Sequence, residues 1–170
     1  MIAKALISVF AIAVAGIANA AEVSRQQDLF QYAFRAGNWT GASQTNRNGD
    51  MHCLAERRFR AGAALYLSRV ADRHSVSMRA TGWRLTGREA KVVFWIDNAE
   101  IGTWSARVAD GKLVHVSLGD GSEPVLNSLR RGRILKVRIE GVAEPQSFDL
   151  AGSRTILDEL ARCVEHFDGN

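Results

Sequence analysis

The chain has 170 residues, 46% of them hydrophobic, with 22 lysines and arginines against 18 aspartates and glutamates and a formal charge of +4. That length fits one domain large enough to bury its own core. So mild a basic balance, with no nucleic-acid motif and no basic run interleaved with aromatics, argues against a nucleic-acid partner, although weak attraction to an anionic envelope surface is allowed.

The first segment reads as an export signal. Lys4 supplies a positive start, residues 5–17 form an apolar run broken only by Ser8 and Gly16, and Ala18-Asn19-Ala20 matches the small-x-small cleavage pattern. The run is shorter than the ~20 residues that span a bilayer, and no later stretch is long enough. Residues 1–20 are therefore expected to be removed, leaving 21–170 as a single domain that is not integral to a membrane. Loss of Lys4 takes the formal charge to about +3, and residue 21 is alanine rather than a lipidatable cysteine. In a bacterial host the expected location is periplasmic or secreted.

Next, Ser24 with Gln27 three residues on resembles a capping box, and Leu29, Phe30, Ala33 and Phe34 form one helical stripe closed by Gly37. A short N-terminal helix is expected, docked on the core or on a partner. From residue 38 to 150 the period becomes two. Met51, Cys53, Ala55 and Phe59 share one face of a strand, with Glu56, Arg58 and Arg60 on the other. Arg57 points to the apolar face; a paired, partly buried arginine, a β-bulge or a site residue would each account for it.

Further strands are expected at 65–70, 76–80, 91–96, 101–108, 113–118, 134–140 and 146–150, with turn chemistry at 46–49, 97–100 and 109–112. Many short strands at near-regular spacing predict an antiparallel β-sandwich, jelly-roll-like, of two packed sheets. Trp95 and Trp104 flank the 97–100 turn, either as core residues or as rings in a ligand groove.

Residues 122–132 predict a short inserted helix, with Ser122 at its cap, Glu123 and Pro124 in the first turn and Gly132 just past its end. Arg130, Arg131, Arg133, Lys136 and Arg138 make the densest positive cluster of the chain. It reads either as an anion- or partner-binding surface or as helix-end charges followed by the solvent face of a strand.

A C-terminal helix begins at Gly152-Ser153. Asp158 and Glu159 lie towards its N-terminal half, and Ile156, Leu157, Leu160, Cys163, Val164 and Phe167 form its apolar face. Cys53 and Cys163 are the chain's two cysteines. Each lies on an inward face, so a disulfide is expected to tie the last helix to an early strand.

No Gly-x-Ser-x-Gly elbow, His-Glu-x-x-His, phosphate-binding Gly-rich loop or Cys-x-x-Cys occurs. His52, His74, His115 and His166 show no ligand spacing, so neither a metal nor another cofactor is expected.

The segment 148–153, followed by Ile156-Leu157 and by residues 160–164, resembles the C-terminal signature of the invasion-associated locus B family of small exported proteobacterial proteins. Trp39, Cys53, the aspartate-ended strand 92–97 and the Leu126, Leu129, Arg130, Arg131, Gly132 pattern stand where that family has comparable features. A similar ending occurs in a periplasmic accessory protein of type VI secretion systems. The resemblance implies a β-sandwich-like envelope protein, linked in some members to host interaction, with no catalytic residues to carry over.

The expected function is thus a non-enzymatic interaction module for an envelope or host protein, using Arg130, Arg131, Arg133, Trp95 and Trp104. The alternative is a binder of a small or extended envelope ligand in a sheet groove, with a hydrolase using Asp97 and Glu100 as its most distant form.

Overall fold

Alternating apolar and polar residues build nearly the whole of this protein. The computed structural model describes residues 23–27, 31–45 and 50–168, so the expected signal segment and the 46–49 turn lie outside the described residues. The strands are β1 (Val23–Gln27), β2 (Tyr32–Ala36), β3 (Trp39–Thr45), β4 (Met51–Arg58), β5 (Ala63–Val70), β6 (Arg73–Ala80), β7 (Glu89–Ile96), β8 (Ala99–Ala109), β9 (Leu113–Ser117), β10 (Ile134–Ile139) and β11 (Gln146–Asp149). Helix α1 (Glu123–Arg131) joins β9 to β10, and α2 (Ser153–Asp168) follows β11.

All strands pair in one antiparallel sheet, ordered β1-β2-β3-β4-β5-β6-β9-β8-β7-β10-β11. β1 to β6 form a meander, whereas β10-β7-β8-β9 has the Greek-key order of a fourth strand returning beside the first of three hairpin-linked ones. The pairing runs without a break, so the division into two sheets expected of a jelly-roll sandwich does not appear in it. Instead the sheet rolls over its own core. Phe148 on β11 packs edge-on against Phe59, just past β4, with ring centroids 5.4 Å apart, although β4 and β11 are far apart in the strand order.

The expected N-terminal helix is corrected over the described residues. Residues 23–27 and 32–36 are strands, paired from Val23 with Ala36 to Gln27 with Tyr32. Tyr32, Phe34 and Ala36 are buried, with Arg35 exposed between them, and that period-two pattern outweighs the helical stripe. Gly37 closes the β2–β3 turn at a φ of 58°. Gly41 opposite Phe34 keeps the sheet close to that ring: a Cβ at Gly41 would lie 2.1 Å from the ring edge.

The inner face of the rolled sheet carries Trp39, Ala55, Leu65, Leu67, Val76, Met78, Val92, Phe94, Leu135, Val137 and Phe148, all buried. Helix α2 lies across β2 to β5 and against α1, burying Ile156, Leu157, Leu160, Cys163 and Val164. The expected disulfide is formed: Cys53 on β4 is bonded to Cys163 on α2, with 6.1 Å between Cα atoms and 110 residues between them in sequence. Trp39, completely buried, donates its indole N–H to the Ala151 carbonyl at 2.9 Å just before α2, so strand β3 also fixes where that helix starts.

Candidate functional site: a basic face around Trp95

Strand β10 sorts its residues by face. Leu135, Val137 and Ile139 enter the core, while Ile134, Lys136 and Arg138 point outward. Ile134, 42% exposed, is the exposed large hydrophobic side chain among the described residues. On the adjacent β7, Val92, Phe94 and Ile96 are buried, so Trp95 takes the outer face, directly across from Lys136. The Arg138 guanidinium lies over the Trp95 ring, 5.5 Å from its centroid. Ser147 of β11 is Lys136's partner on the other side.

The β7–β8 turn shapes one end of this surface. Asp97 and Asn98 have φ values of 48° and 75°, the left-handed pair that a two-residue hairpin needs and that these side chains tolerate. The Asp97 carboxylate accepts hydrogen bonds from the Arg133 N–H at 3.0 Å and the Ile134 N–H at 2.9 Å. These bonds, that from Ile134 first, hold its pKa below the ordinary carboxylate range. Asp97 thereby fastens the start of β10 to the hairpin, and its carboxylate is committed to backbone amides rather than poised as the acid of a hydrolase. Glu100 is exposed and sits across from Trp95.

Two hollows run together on this face. One, of about 300 Å³, is lined by Trp95, Asn98, Lys136 and Arg138. The other, of about 480 Å³, shares Asn98 and Lys136 and adds Asp97, Arg133, Ile134 and Ser147. Among the described residues, Arg133, Lys136 and Arg138 form no ion pair with a carboxylate.

The expected surface residues therefore divide. Trp95 lines the first of the two hollows and Arg133 the second, with Asn98 and Lys136 common to both. Arg130 is drawn away, paired with Glu123 of its own helix at 3.5 Å and linking α1 to α2 through Asp158 at 3.9 Å. Arg131 is exposed beside Ile96, Asp97 and Ile101, lining a different hollow of about 270 Å³. Trp104 lies on the core face: it pairs with buried Val92, its ring centroid is 4.8 Å from that of Phe94, and it packs over Gly102, where a Cβ would lie 2.9 Å from the ring. The two tryptophans thus face opposite sides of the sheet and form no shared groove, because a bulge in the β7–β8 register between Phe94 and Trp95 pairs Trp104 with Val92, whereas an unbroken register from the Ile96–Ala99 pair would have left it on the outer face with Trp95.

Arg57 is the paired arginine among the expected alternatives. It is 6% exposed, bonded to the Asp149 carboxylate and, at 2.8 Å, to the Ala151 carbonyl, and it lies 5.1 Å from the Phe59 ring centroid. The β4 pairings on both sides are regular, with no bulge.

Glu159, by contrast, escaped the sequence reading. It is completely buried and accepts two bonds from Arg25, at 2.7 and 2.6 Å, one from the Tyr32 hydroxyl at 3.1 Å and one from Arg162 at 2.6 Å. The Arg25 bonds hold its pKa below the usual carboxylate range despite burial. The available signal was its position on the buried stripe, three residues after Ile156 and four before Cys163.

A second polar row crosses the outer face of β4, β5, β6 and β9. Glu56 accepts from Arg58 at 2.8 Å and from the Tyr66 hydroxyl at 3.0 Å, and Ser77 meets the Nδ1 of His115 at 2.9 Å. Burial, with the Arg107 charge second, lowers the His115 pKa. Burial likewise lowers that of His74, whose Nδ1 is enclosed without a hydrogen-bond partner.

Among the described residues, no group of three or more histidine, cysteine, aspartate or glutamate side chains is placed to hold a metal ion, and no helix is long and apolar enough to cross a membrane. No protein-family model, no curated protein and no solved structure matches the chain.

Proposed function

We propose that this chain is an exported, non-enzymatic interaction module of the bacterial envelope, periplasmic or secreted, of the kind that its resemblance to invasion-associated locus B proteins implies. It engages an anionic component of the envelope or of a host through the outer face of β7 and β10. One observation carries the reading: Lys136 and Arg138 flank one half-exposed indole, Arg133 lines the adjoining hollow, and among the described residues none of the three forms an ion pair with a carboxylate. Unpaired cations on a concave face raise the local concentration of anions and speed their encounter. Export has separate support in the disulfide, which persists in oxidising compartments, together with the signal-like segment at the start of the chain.

The decisive measurement is co-sedimentation of the purified mature protein with isolated envelopes. Changing Arg133, Lys136 and Arg138 together to glutamate is expected to weaken association by roughly tenfold or more and to remove its salt dependence. Undiminished association would overturn the surface assignment. Arg130→Glu serves as the control, because Arg130 is occupied between α1 and α2; its effect is expected on stability and not on binding. Export is checked by fractionation and N-terminal sequencing, with a start at Ala21 expected; an intact Met1 start in the cytoplasmic fraction would refute it.

A further inference from the structure

The chemistry of the Trp95 trough narrows the class of ligand, on the reading that this face is the binding surface. Its lining offers a flat indole, the guanidinium of Arg138 against it, the ammonium of Lys136, the guanidinium of Arg133, the amide of Asn98 and the hydroxyl of Ser147. Lys136 and Arg138, two residues apart on one strand, place their charges roughly 6.6 Å apart at the backbone, and Arg133 lies beyond Ile134 at the start of the same strand. The cations are thus strung along an open channel rather than focused on one point.

Three kinds of anionic polymer or surface would meet such a channel. An extended acidic peptide needs a backbone edge to pair with, and the nearest edge, β11, is four residues long, follows Pro145 and has Asp149 engaged by Arg57. Short, proline-flanked edges resist strand addition. A bilayer surface calls for several protruding apolar side chains, and among the described residues this face offers Ile134 and the half-exposed Trp95 ring, which lies against the Arg138 guanidinium. While the Asp97 carboxylate in the same lining is occupied by the Arg133 and Ile134 amides, a sugar chain uses the indole, the cations, Asn98 and Ser147 together. Its C–H faces pack on the indole, its hydroxyls meet Asn98 and Ser147, and its carboxylates meet Lys136, Arg138 and Arg133.

We propose that the Trp95 trough binds an acidic polysaccharide, an extended sugar chain carrying carboxylates, with the indole stacking on a sugar ring and the three cations reading the charges along the chain.

The test uses the mature disulfide-bonded protein and titrates it with polygalacturonate, alginate, neutral dextran, polyglutamate and vesicles rich in anionic phospholipid. Both uronate polymers are expected to bind, with dextran silent. Trp95→Ala is expected to weaken uronate binding roughly tenfold, about 1.4 kcal/mol, and the triple glutamate variant to abolish it, while both variants keep the wild-type melting transition. Polyglutamate or vesicles binding as well as the uronates, with Trp95→Ala without effect but the triple variant inactive, would overturn the glycan assignment and leave the surface reading standing. Failure of both uronate polymers to bind would also overturn it. Binding of all anions unchanged in every variant would overturn the surface reading itself.

Discussion

The molecule uses its arginines in two opposite ways. Under α2, Arg25 and Arg57 are held by Glu159 and Asp149, each reaching across the sheet to fix an element far away in sequence. On and just before the outer face of β10, Arg133 and Arg138, with Lys136 between them, have no such partners among the described residues. A charge taken out of water is costly unless it is paired and hydrogen-bonded, and each of the two ion pairs contains one such charge, Glu159 in the first and Arg57 in the second, so both belong to the architecture. The cations on β10 remain in contact with solvent, and their charge is left for something else to answer. Basic residues in one chain therefore separate by the partner each has, and density of positive charge along the sequence is a poor guide to a site.

That contrast can be broken from either side, and the largest effect is expected on the α2 side. Changing Cys53 and Cys163 to serine removes a constraint across 110 residues and should cost about 4 to 5 kcal/mol in the chain-entropy model, read as a lowered denaturation midpoint. A loss below about 1 kcal/mol would mean that α2 is held by its other contacts. Arg57→Ala takes one of two donors from the Ala151 carbonyl, the Trp39 indole remaining, removes the guanidinium from Asp149, and should destabilise by about 1.5 to 3 kcal/mol. The tryptophans sharpen the comparison: Trp104→Ala, opening space beside Phe94, should cost about 2 kcal/mol. Trp95→Ala should change stability by no more than about 0.5 kcal/mol, and equal effects in thermal melts would contradict the opposite-face assignment.

The smallest effect is the pH dependence. His74 and His115 titrate below the ordinary histidine value of 6.5 because of burial, so the folded state binds fewer protons than the unfolded state once pH falls below that value. Their contribution is fully present above about pH 6.5 and is lost as the pH falls through their folded values. Glu159, lowered chiefly by Arg25, and Asp97, lowered chiefly by the Ile134 and Arg133 amides, act with the same sign below the ordinary carboxylate values of 4.5 and 3.8. Melting temperature should therefore decline in two stages on acidification, and Glu159→Gln should flatten the lower one.

Much of this architecture is legible residue by residue. Cys53 and Cys163 each sit on an apolar face of an element with a clear period, and Arg57 is conspicuous as a charge on a strand's inner face. The inserted helix is also legible, although Gly132 serves a different purpose from the one its position suggests. Its φ is −74°, within reach of any residue, but a Cβ there would lie 2.2 Å from the Ile96 side chain. Close approach, not a left-handed turn, requires glycine at that position.

What stays hidden depends on pairing between distant segments. The return of β9 to β6 and of β10 to β7 leaves no local mark, and with it the meeting of Trp95 with Lys136 and Arg138 is invisible along the chain. Taken alone, Lys136 and Arg138 look like an ordinary solvated strand face, and they become a candidate site only through the neighbour that the sheet gives them. The β1–β2 hairpin was misread for a related reason: Phe30, Ala33 and Phe34 satisfy a helical period, and only Tyr32, Phe34 and Ala36 satisfy the one that is used.

Glu159 and Cys163 lie one turn apart on the same helix, so α2 is held at neighbouring points by two bonds that answer to different agents. A reductant opens one and protons open the other. In logical terms the helix is released by a conjunction: thiol alone or acid alone leaves one bond closed. Amide exchange along α2 should accordingly rise with reductant alone by the margin the serine variants show and rise furthest when low pH is added, and a response to both no larger than to reductant alone would show that Glu159 does not hold the helix.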